Sequence, residues 1–324
     1  MNFDVLTITL NPAIDKSTTV DRFVPEQKLR CAPPRYDAGG GGLNVSKALR
    51  RLGGDSLALF SAGGPPGQLL QDLVRKAGIS YRIIETQEWT RENFTVTETE
   101  SNAQYRFNLP GPTLSASEAQ SWLDSLSSLD FKPAYVVASG SLPNGVSTDF
   151  YARIARAVQN AGARFILDTS GQPLFEAANV GVFLLKPNLN ELCALVGVET
   201  LETVDIDDAA REIIGRGDCE VVVVSMGPQG AMLVTRDFCE HVPAPSVKKL
   251  STVGAGDSMV AGMTWALSQG RDYRQMIRQG VACGSAATMN PGTELFQPQD
   301  VERLLAWINQ YGTRYRLPTD CTVD

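Results

Sequence analysis

The period of apolar and polar positions changes several times along the chain, and each change marks an element. Residues 5–10 alternate as a strand does, and Asn11-Pro12 ends the run. Residues 13–38 hold no helical period; Thr18-Thr19-Val20 and Arg35-Tyr36 read as exposed β-structure. From Leu43 the period becomes helical. Leu43, Val45, Ala48, Leu49 and Leu52 share one face, and Gly53-Gly54 stops the helix. Residues 57–60 read as a strand, and 68–77 as a helix closed by Gly78.

Residues 81–109 again lack a helical period. An alternating run over 94–100, a Ser-Asn turn and a second run over 104–109 predict a β-hairpin. Its polar content implies a sheet with one face open to water or to a partner. With residues 13–38 it makes a small β-layer outside the main body. From Leu114 onward short apolar strands (134–138, 164–168, 182–186, 221–225) alternate with helices (115–128, 147–161, 189–196, 207–215). Helices over 257–269, 273–290 and 298–310 follow, and the polar tail after Tyr311 is expected to be loosely held. Continuous apolar strands between helices predict a parallel sheet covered on both faces. In such a sheet the ligand site lies at the carboxyl ends of the strands. There are no repeats.

Composition narrows the function. The chain has 324 residues, 43% of them hydrophobic, enough for one large α/β domain with an appendage or for two modest domains. A net charge of −7 and no basic run longer than Arg50-Arg51 or Lys248-Lys249 argue against sequence-independent nucleic-acid binding. The start lacks a basic leader, and no apolar run approaches the ~18 residues of a membrane span, so a cytoplasmic protein without membrane contact is expected. Six cysteines without C-x-x-C spacing read as small buried hydrophobes in a reducing compartment. The single histidine, His241, excludes a multi-histidine metal site and reads as part of a strand end.

The most informative stretch is Thr252-Val253-Gly254-Ala255-Gly256-Asp257-Ser258. A glycine turn opening a helix aims several N–H groups at one spot, at the positive end of the helix dipole, where anionic oxygen is held. The carboxylate beside it cannot bind that anion, but it can take a proton from a hydroxyl attacking it. Anion cradle and base together point to phosphoryl transfer to an alcohol. The alternative is a glycine turn with an ordinary first-turn acid.

Other motifs admit two readings each. Gly39-Gly40-Gly41-Gly42-Leu43-Asn44 allows close backbone approach, with Asn44 suited to sugar hydroxyls, or is a flexible turn. Asn188 and Glu191 lie three apart on one face and either hold a hydrated Mg²⁺ or form a helix capping box. Ser225-Met226-Gly227-Pro228-Gln229-Gly230 sits beside a nucleotide phosphate or is a plain turn. Arg91 and Arg106 in the hairpin, with Lys28 and Arg30 in the other polar β-segment, are clamps for a substrate phosphate or solvated surface charges. Asp15 is placed to accept hydroxyl hydrogen bonds. The P-loop, the first-strand G-x-G-x-x-G and the protein-kinase loop are missing.

The stretches 39–54 and 251–262 resemble the two signatures of the ribokinase-like carbohydrate kinases, the phosphofructokinase B group, and the order of elements agrees up to about residue 311. Within that family, Lys28-Leu29-Arg30-Cys31, Trp89-Thr90-Arg91, Gln104-Tyr105-Arg106-Phe107 and Ser139-Gly140-Ser141-Leu142-Pro143 are similar to the branch acting on fructose 6-phosphate. The resemblance implies a ribokinase-like three-layer α/β/α fold, with a mostly parallel central sheet and a small β-sheet lid. One kinase domain would span 1–311, with lid segments at about 13–38 and 88–109 and a tail at 312–324.

It also implies roles. Asp257 would be the catalytic base, and Gly254, Ala255 and Gly256 the anion hole. Asp15, Gly40, Gly41, Asn44 and Ser139 would hold the sugar, with Lys28, Arg30, Arg91 and Arg106 near its phosphate. Lys186, Asn188, Glu191, Ser225, Gly227, Gly230 and Thr252 would line the ATP and Mg²⁺ region. Ser251, Val253, Ala287, Asn290 and Gly292 match loops that bind K⁺ in such kinases, and Glu294 stands where a basic residue is expected. The implied reaction is ATP-dependent phosphorylation of the 1-hydroxyl of fructose 6-phosphate by a homodimer joined through its lids. The rival acceptors are tagatose 6-phosphate and fructose 1-phosphate. A non-catalytic sugar-phosphate sensor and a nucleoside or vitamin kinase are the readings from other classes. The carboxyl of Asp257, taken as unperturbed, has a pKa of about 4.

Overall fold

In the computed structural model residues 3–292 and 294–312 are described; most of the expected tail lies outside the described residues. Strand β1 (Val5–Thr9) is buried at every position and leads through Asn11-Pro12 into β2 (Ala13–Val20) and β3 (Arg35–Gly39). Helix α1 (Gly41–Arg51), β4 (Leu57–Ala62), α2 (Gly64–Lys76) and β5 (Ser80–Glu85) follow. The expected hairpin is β6 (Arg91–Glu98) with β7 (Gln104–Phe107). Then come α3 (Ala116–Ser127), β8 (Tyr135–Ser139), α4 (Phe150–Asn160), β9 (Arg164–Asp168), α5 (Gln172–Ala178), β10 (Val182–Leu185), α6 (Leu189–Val196), α7 (Ile206–Arg216) and β11 (Cys219–Ser225). The chain closes with β12 (Ala231–Val234), β13 (Cys239–Val242), α8 (Ala255–Ser268), α9 (Tyr273–Thr288) and α10 (Pro298–Tyr311).

Among the described residues the main sheet runs β13-β12-β11-β10-β9-β8-β1-β4-β5, parallel from β11 to β5, with β12 and β13 antiparallel at one edge. Alternate strand residues feed two cores. Leu6, Ile8, Val136, Phe165 and Leu167 face α3 to α7, while Val5, Val137, Ile166, Leu184 and Val223 face α1, α8, α9 and α10. Both faces of the sheet are therefore covered, which is why its strands read as unbroken apolar runs. The result is the expected three-layer ribokinase-like α/β fold.

The small sheet runs β3-β2-β6-β7. Its two sequence segments meet where β2 pairs with β6 in parallel, Asp15 beside Asn93. Its register sets two different faces. Tyr36, Lys16, Phe94 and Phe107 form one row across all four strands, and Asp37, Asp15 and Asn93 form the next row, on the other face. Lys28 and Arg30 lie in the exposed loop between β2 and β3, not in a strand as expected. Among the elements the period missed, β5 is a largely exposed edge strand and α5 has only seven residues. Cys31 is exposed, unlike Cys193, Cys219 and Cys283, which are buried. No helix among the described residues is long and apolar enough to cross a membrane.

Candidate active site

Parallel strands deliver three polar residues to one level at the carboxyl end of the sheet. Ser139 ends β8 and is the register partner of Asp168, which ends β9; Lys186 follows β10. Lys186 Nζ lies 3.1 Å from Asp168 Oδ1, and the lysine side chain is only 7% exposed. Burial alone would lower the lysine pKa, yet the adjacent Asp168 charge raises it. The ammonium is thus fixed as a cation, with protons left for a further acceptor.

Helix α8 enters above this level. Gly254 caps it with φ of 73°, a conformation that costs glycine little. Asp257 stands in the first turn. Asn44 Nδ2 donates to its Oδ2 at 2.9 Å, and Ser139 Oγ donates to its Oδ1 at 3.0 Å. Burial, then the charge of Asp168, push its pKa up to about 6, against the lowering effect of Asn44, Ser139 and Lys186. This corrects the unperturbed value expected from sequence. The group is a better base than an exposed aspartate and is still mostly ionised at neutral pH. Ala255 N donates to Thr252 O at 3.3 Å, whereas no acceptor among the described residues takes the N–H of Gly254 or Gly256. Two of the three expected amides are therefore open. A Cβ at Gly256 would stand 3.6 Å from Lys186 Nζ and 3.9 Å from Asp168 Oδ2, so the turn, the lysine and the strand ends share one space.

The four-glycine run is needed for close approach. A Cβ on Gly41 would lie 2.1 Å from Ser139 Oγ, and one on Gly40, at φ of 114°, 2.5 Å from Thr9 Cγ2. This lets α1 start against the ends of β1 and β8 and carries Asn44 to Asp257. Across the cleft, Asn93 Nδ2 donates to Asp15 Oδ1 at 2.9 Å, and a Cβ on Gly39 would meet Asp15 Oδ2 at 2.2 Å. Burial raises the pKa of Asp15 despite Asn93, Lys47 and Arg91, which lower it. Arg91 Nη2 donates to Asn11 O at 2.9 Å, while its buried Nε has no partner among the described residues. Arg106 pairs in register with Thr95, which puts it on the face of the small sheet that carries Asn93; it donates to Gln104 Oε1 at 3.0 Å. Lys28 and Arg30 are exposed in their loop.

Of the two readings of Asn188 and Glu191, the structure shows the capping box. Glu191 N donates to Asn188 Oδ1 at 3.0 Å and Asn188 N to Glu191 Oε2 at 2.8 Å, a complete capping box. Oε1 of Glu191 stays outside that box. Asn188 bridges to Ser225 on the neighbouring strand. Gly227 and Gly230 shape the turn that follows; a Cβ on Gly230 would come within 2.0 Å of Val242 O. Among the described residues no group of three or more His, Cys, Asp or Glu could cage a metal. The loops of the K⁺ set are joined: Ser251 Oγ donates to Gly292 O at 3.0 Å, Val253 N to Ser251 Oγ at 3.1 Å and Asn290 N to Ala287 O at 3.2 Å. Glu294 is paired with Arg35 of β3.

Sequence reasoning missed Asp168 and Lys47. The first was hidden as the last residue of an apolar strand, where an acid at the carboxyl end was its only signal. The second reads as a surface lysine between helical core positions.

Comparison with known proteins gives the family. Residues 7–300 match the pfkB family of carbohydrate kinases. The chain is 46% identical over 299 residues to ATP-dependent 6-phosphofructokinase isozyme 2 of Mycobacterium tuberculosis, covering 92% of this chain and 88% of that one. It is 41% identical over 307 residues to the Escherichia coli protein of the same name, covering 94% and 99%. A crystal structure of Escherichia coli phosphofructokinase-2 in complex with potassium superposes with a TM-score of 0.91 at 41% identity, covering 95% and 100%. Structures of that Escherichia coli protein have also been solved with fructose-6-phosphate and in a tetrameric inhibited form. A 1-phosphofructokinase of Xanthomonas campestris is more distant, at 38% over 82% of this chain and 85% of that one. A family match over residues 7–300, with relatives 46% and 41% identical over more than nine-tenths of this sequence, places it plainly: the chain belongs to the pfkB family of carbohydrate kinases.

Proposed function

We propose that the chain transfers the terminal phosphoryl group of ATP to the 1-hydroxyl of fructose 6-phosphate, giving fructose 1,6-bisphosphate and ADP. The observation that carries this is Asp257, held by Asn44 and Ser139 with a pKa of about 6, beside the open amides of Gly254 and Gly256. The sugar would lie between Asp15, the 39–42 backbone and Asn44, with its 1-hydroxyl on Asp257. The phosphate it already carries would meet Arg91 and Arg106 from the lid, with Lys28 and Arg30 joining from their loop. A neutral acceptor, as a nucleoside or vitamin kinase would take, has no use for that cationic set.

In the transfer the protein mainly positions reactants and stabilises charge. Asp257 takes the hydroxyl proton as the bond from oxygen to phosphorus forms, and that phosphorus parts from the bridging oxygen of ADP. The Gly254 and Gly256 amides and Lys186 offset charge on the moving group; a well-placed donor contributes about 3 kcal/mol. Magnesium, when bound, offsets the charge of the nucleotide phosphates. Glu191, with Oε1 outside its capping box, fits a metal held through water rather than by a protein cage. The Ser251, Val253, Ala287, Asn290 and Gly292 set offers neutral oxygens suited to potassium. Ser225, Gly227, Gly230 and Thr252 would border the nucleotide.

The exposed row of Tyr36, Phe94 and Phe107 supports pairing of two lids in a homodimer. Sedimentation at micromolar concentration checks that; a monomer would count against it. The activity is tested by ADP release with fructose 6-phosphate, tagatose 6-phosphate, fructose 1-phosphate and free fructose, with and without K⁺. The highest kcat/KM is expected for fructose 6-phosphate. No ADP with any sugar, with binding intact, would make the chain a sugar-phosphate sensor instead.

A further inference from the structure

Two carboxylates at the base of the lid face each other at a cost. Asp15 of β2 and Asp37 of β3 are direct register partners, so they share one face of the small sheet. Like charges placed so repel. Asp37 is bound by Arg35, through Nε at 2.9 Å and Nη2 at 3.2 Å, and Asp15 by Asn93. Arg91 also acts on Asp15, and Lys47 acts on both carboxylates. Lys47 stands on α1, one turn beyond Asn44 and on the same side of the helix. Its Nζ donates to Ala38 O at 2.6 Å, on the strand residue between Asp37 and Gly39. Burial lowers its pKa, while Asp37, Asp15 and Asp257, in that order, act to raise it and Arg51 acts to lower it.

We propose that Lys47 is a positioning residue for phosphoryl transfer: it ties lid strand β3 to the helix carrying Asn44, and its charge offsets Asp37, Asp15 and Asp257 together. This rests on the reading of Asp257 as the base. Asp257 also faces Asn44 from α1, Ser139 from β8, Asp168 from β9 and Lys186 from β10. Of these, Asp168 raises its pKa and Lys186 lowers it. Lys47 adds a second, weaker cation from the lid side, its charge favoured in part by Asp257. Without it, the proton on Asp257 is held more tightly and the catalytic carboxylate forms only at higher pH.

The test is the pH profile of kcat with saturating fructose 6-phosphate and ATP for the wild type, Lys47→Gln and Lys47→Arg. Glutamine keeps a donor for Ala38 O without the charge; arginine keeps both. The acid limb is expected to move up in Lys47→Gln and to stay in place in Lys47→Arg. Asp37→Asn, outside the catalytic contacts, is expected to move it down and serves where the glutamine variant does not fold. A limb unmoved in Lys47→Gln, or equally moved in both Lys47 variants, overturns the proposal. So does an unmoved limb in Asp37→Asn. A wild type that makes no ADP with any sugar phosphate fails the underlying reading instead.

Discussion

Asn44 and Asp257, 213 residues apart in sequence, meet at 2.9 Å, the Asn44 amide donating to the carboxylate from the first turn of a different helix. Each helix starts at a glycine-rich turn, and each turn lies over the carboxyl ends of the central strands. The bond therefore ties the two glycine-turn helices together across the strand ends.

The first prediction concerns that carboxylate. Asp257→Asn keeps the shape and removes the base, so kcat with fructose 6-phosphate should fall by about three orders of magnitude or more, with little change in KM. Stability should move the other way. The folded pKa is raised above the unfolded 3.8 to about 6, so ionised Asp257 opposes folding as pH rises through that window. The asparagine variant should therefore melt at or above the wild-type temperature at pH 7.5. Near-normal turnover would remove Asp257 from the mechanism.

A second prediction is the pH dependence itself. The base works ionised, so kcat/KM should fall below about pH 6 with a single-proton slope. A limb near pH 4 would mean that burial and Asp168 do not act on Asp257 as the geometry requires.

Much of this was legible in the sequence, for reasons that differ by element. The strands β8, β9 and β11 are apolar on both faces, and α1 carries one clear apolar face, whereas α8 is buried nearly all round. The glycine turn at 254–256 marked a helix start with open amides beside an acid, and the structure has that turn at the start of α8 with Asp257 in its first turn. What stayed hidden depends on contacts between distant segments. Asp168 gains its meaning only from Lys186 and Asp257, and Lys47 only from the lid carboxylates. The raised pKa of Asp257 was likewise invisible, since burial is a property of the packed cleft. Lys28 and Arg30 were assigned to strand because residues 13–38 lack a helical period, and a loop lacks one too.

Asp168 yields a third prediction. Asp168→Asn leaves Lys186 enclosed without its carboxylate, and losing one partner of such a pair costs about 3 kcal/mol. It also removes the like charge that raises Asp257. Denaturant unfolding should show the loss, and the acid limb of kcat/KM should shift downward. A variant as stable as the wild type, with the limb in place, would leave the pair without either role.

The fourth separates two glycines by the space around them. At Gly256 a Cβ meets Lys186 Nζ at 3.6 Å and Asp168 Oδ2 at 3.9 Å, both ordinary contacts, so Gly256→Ala should fold normally. The new methyl group would stand where the phosphoryl group passes, and kcat should drop by about 100-fold, the scale of losing one anion-hole donor. At Gly41 a Cβ would fall 2.1 Å from Ser139 Oγ and 2.7 Å from the Ser139 backbone carbonyl carbon. Gly41→Ala must therefore push α1 or β8 aside, moving Asn44 and Ser139 away from Asp257 together. It should lose stability as well as turnover, and thermal melts of the two variants tell them apart. If Gly256→Ala melted like Gly41→Ala, the turn would be a packing feature and not an open cradle for phosphate.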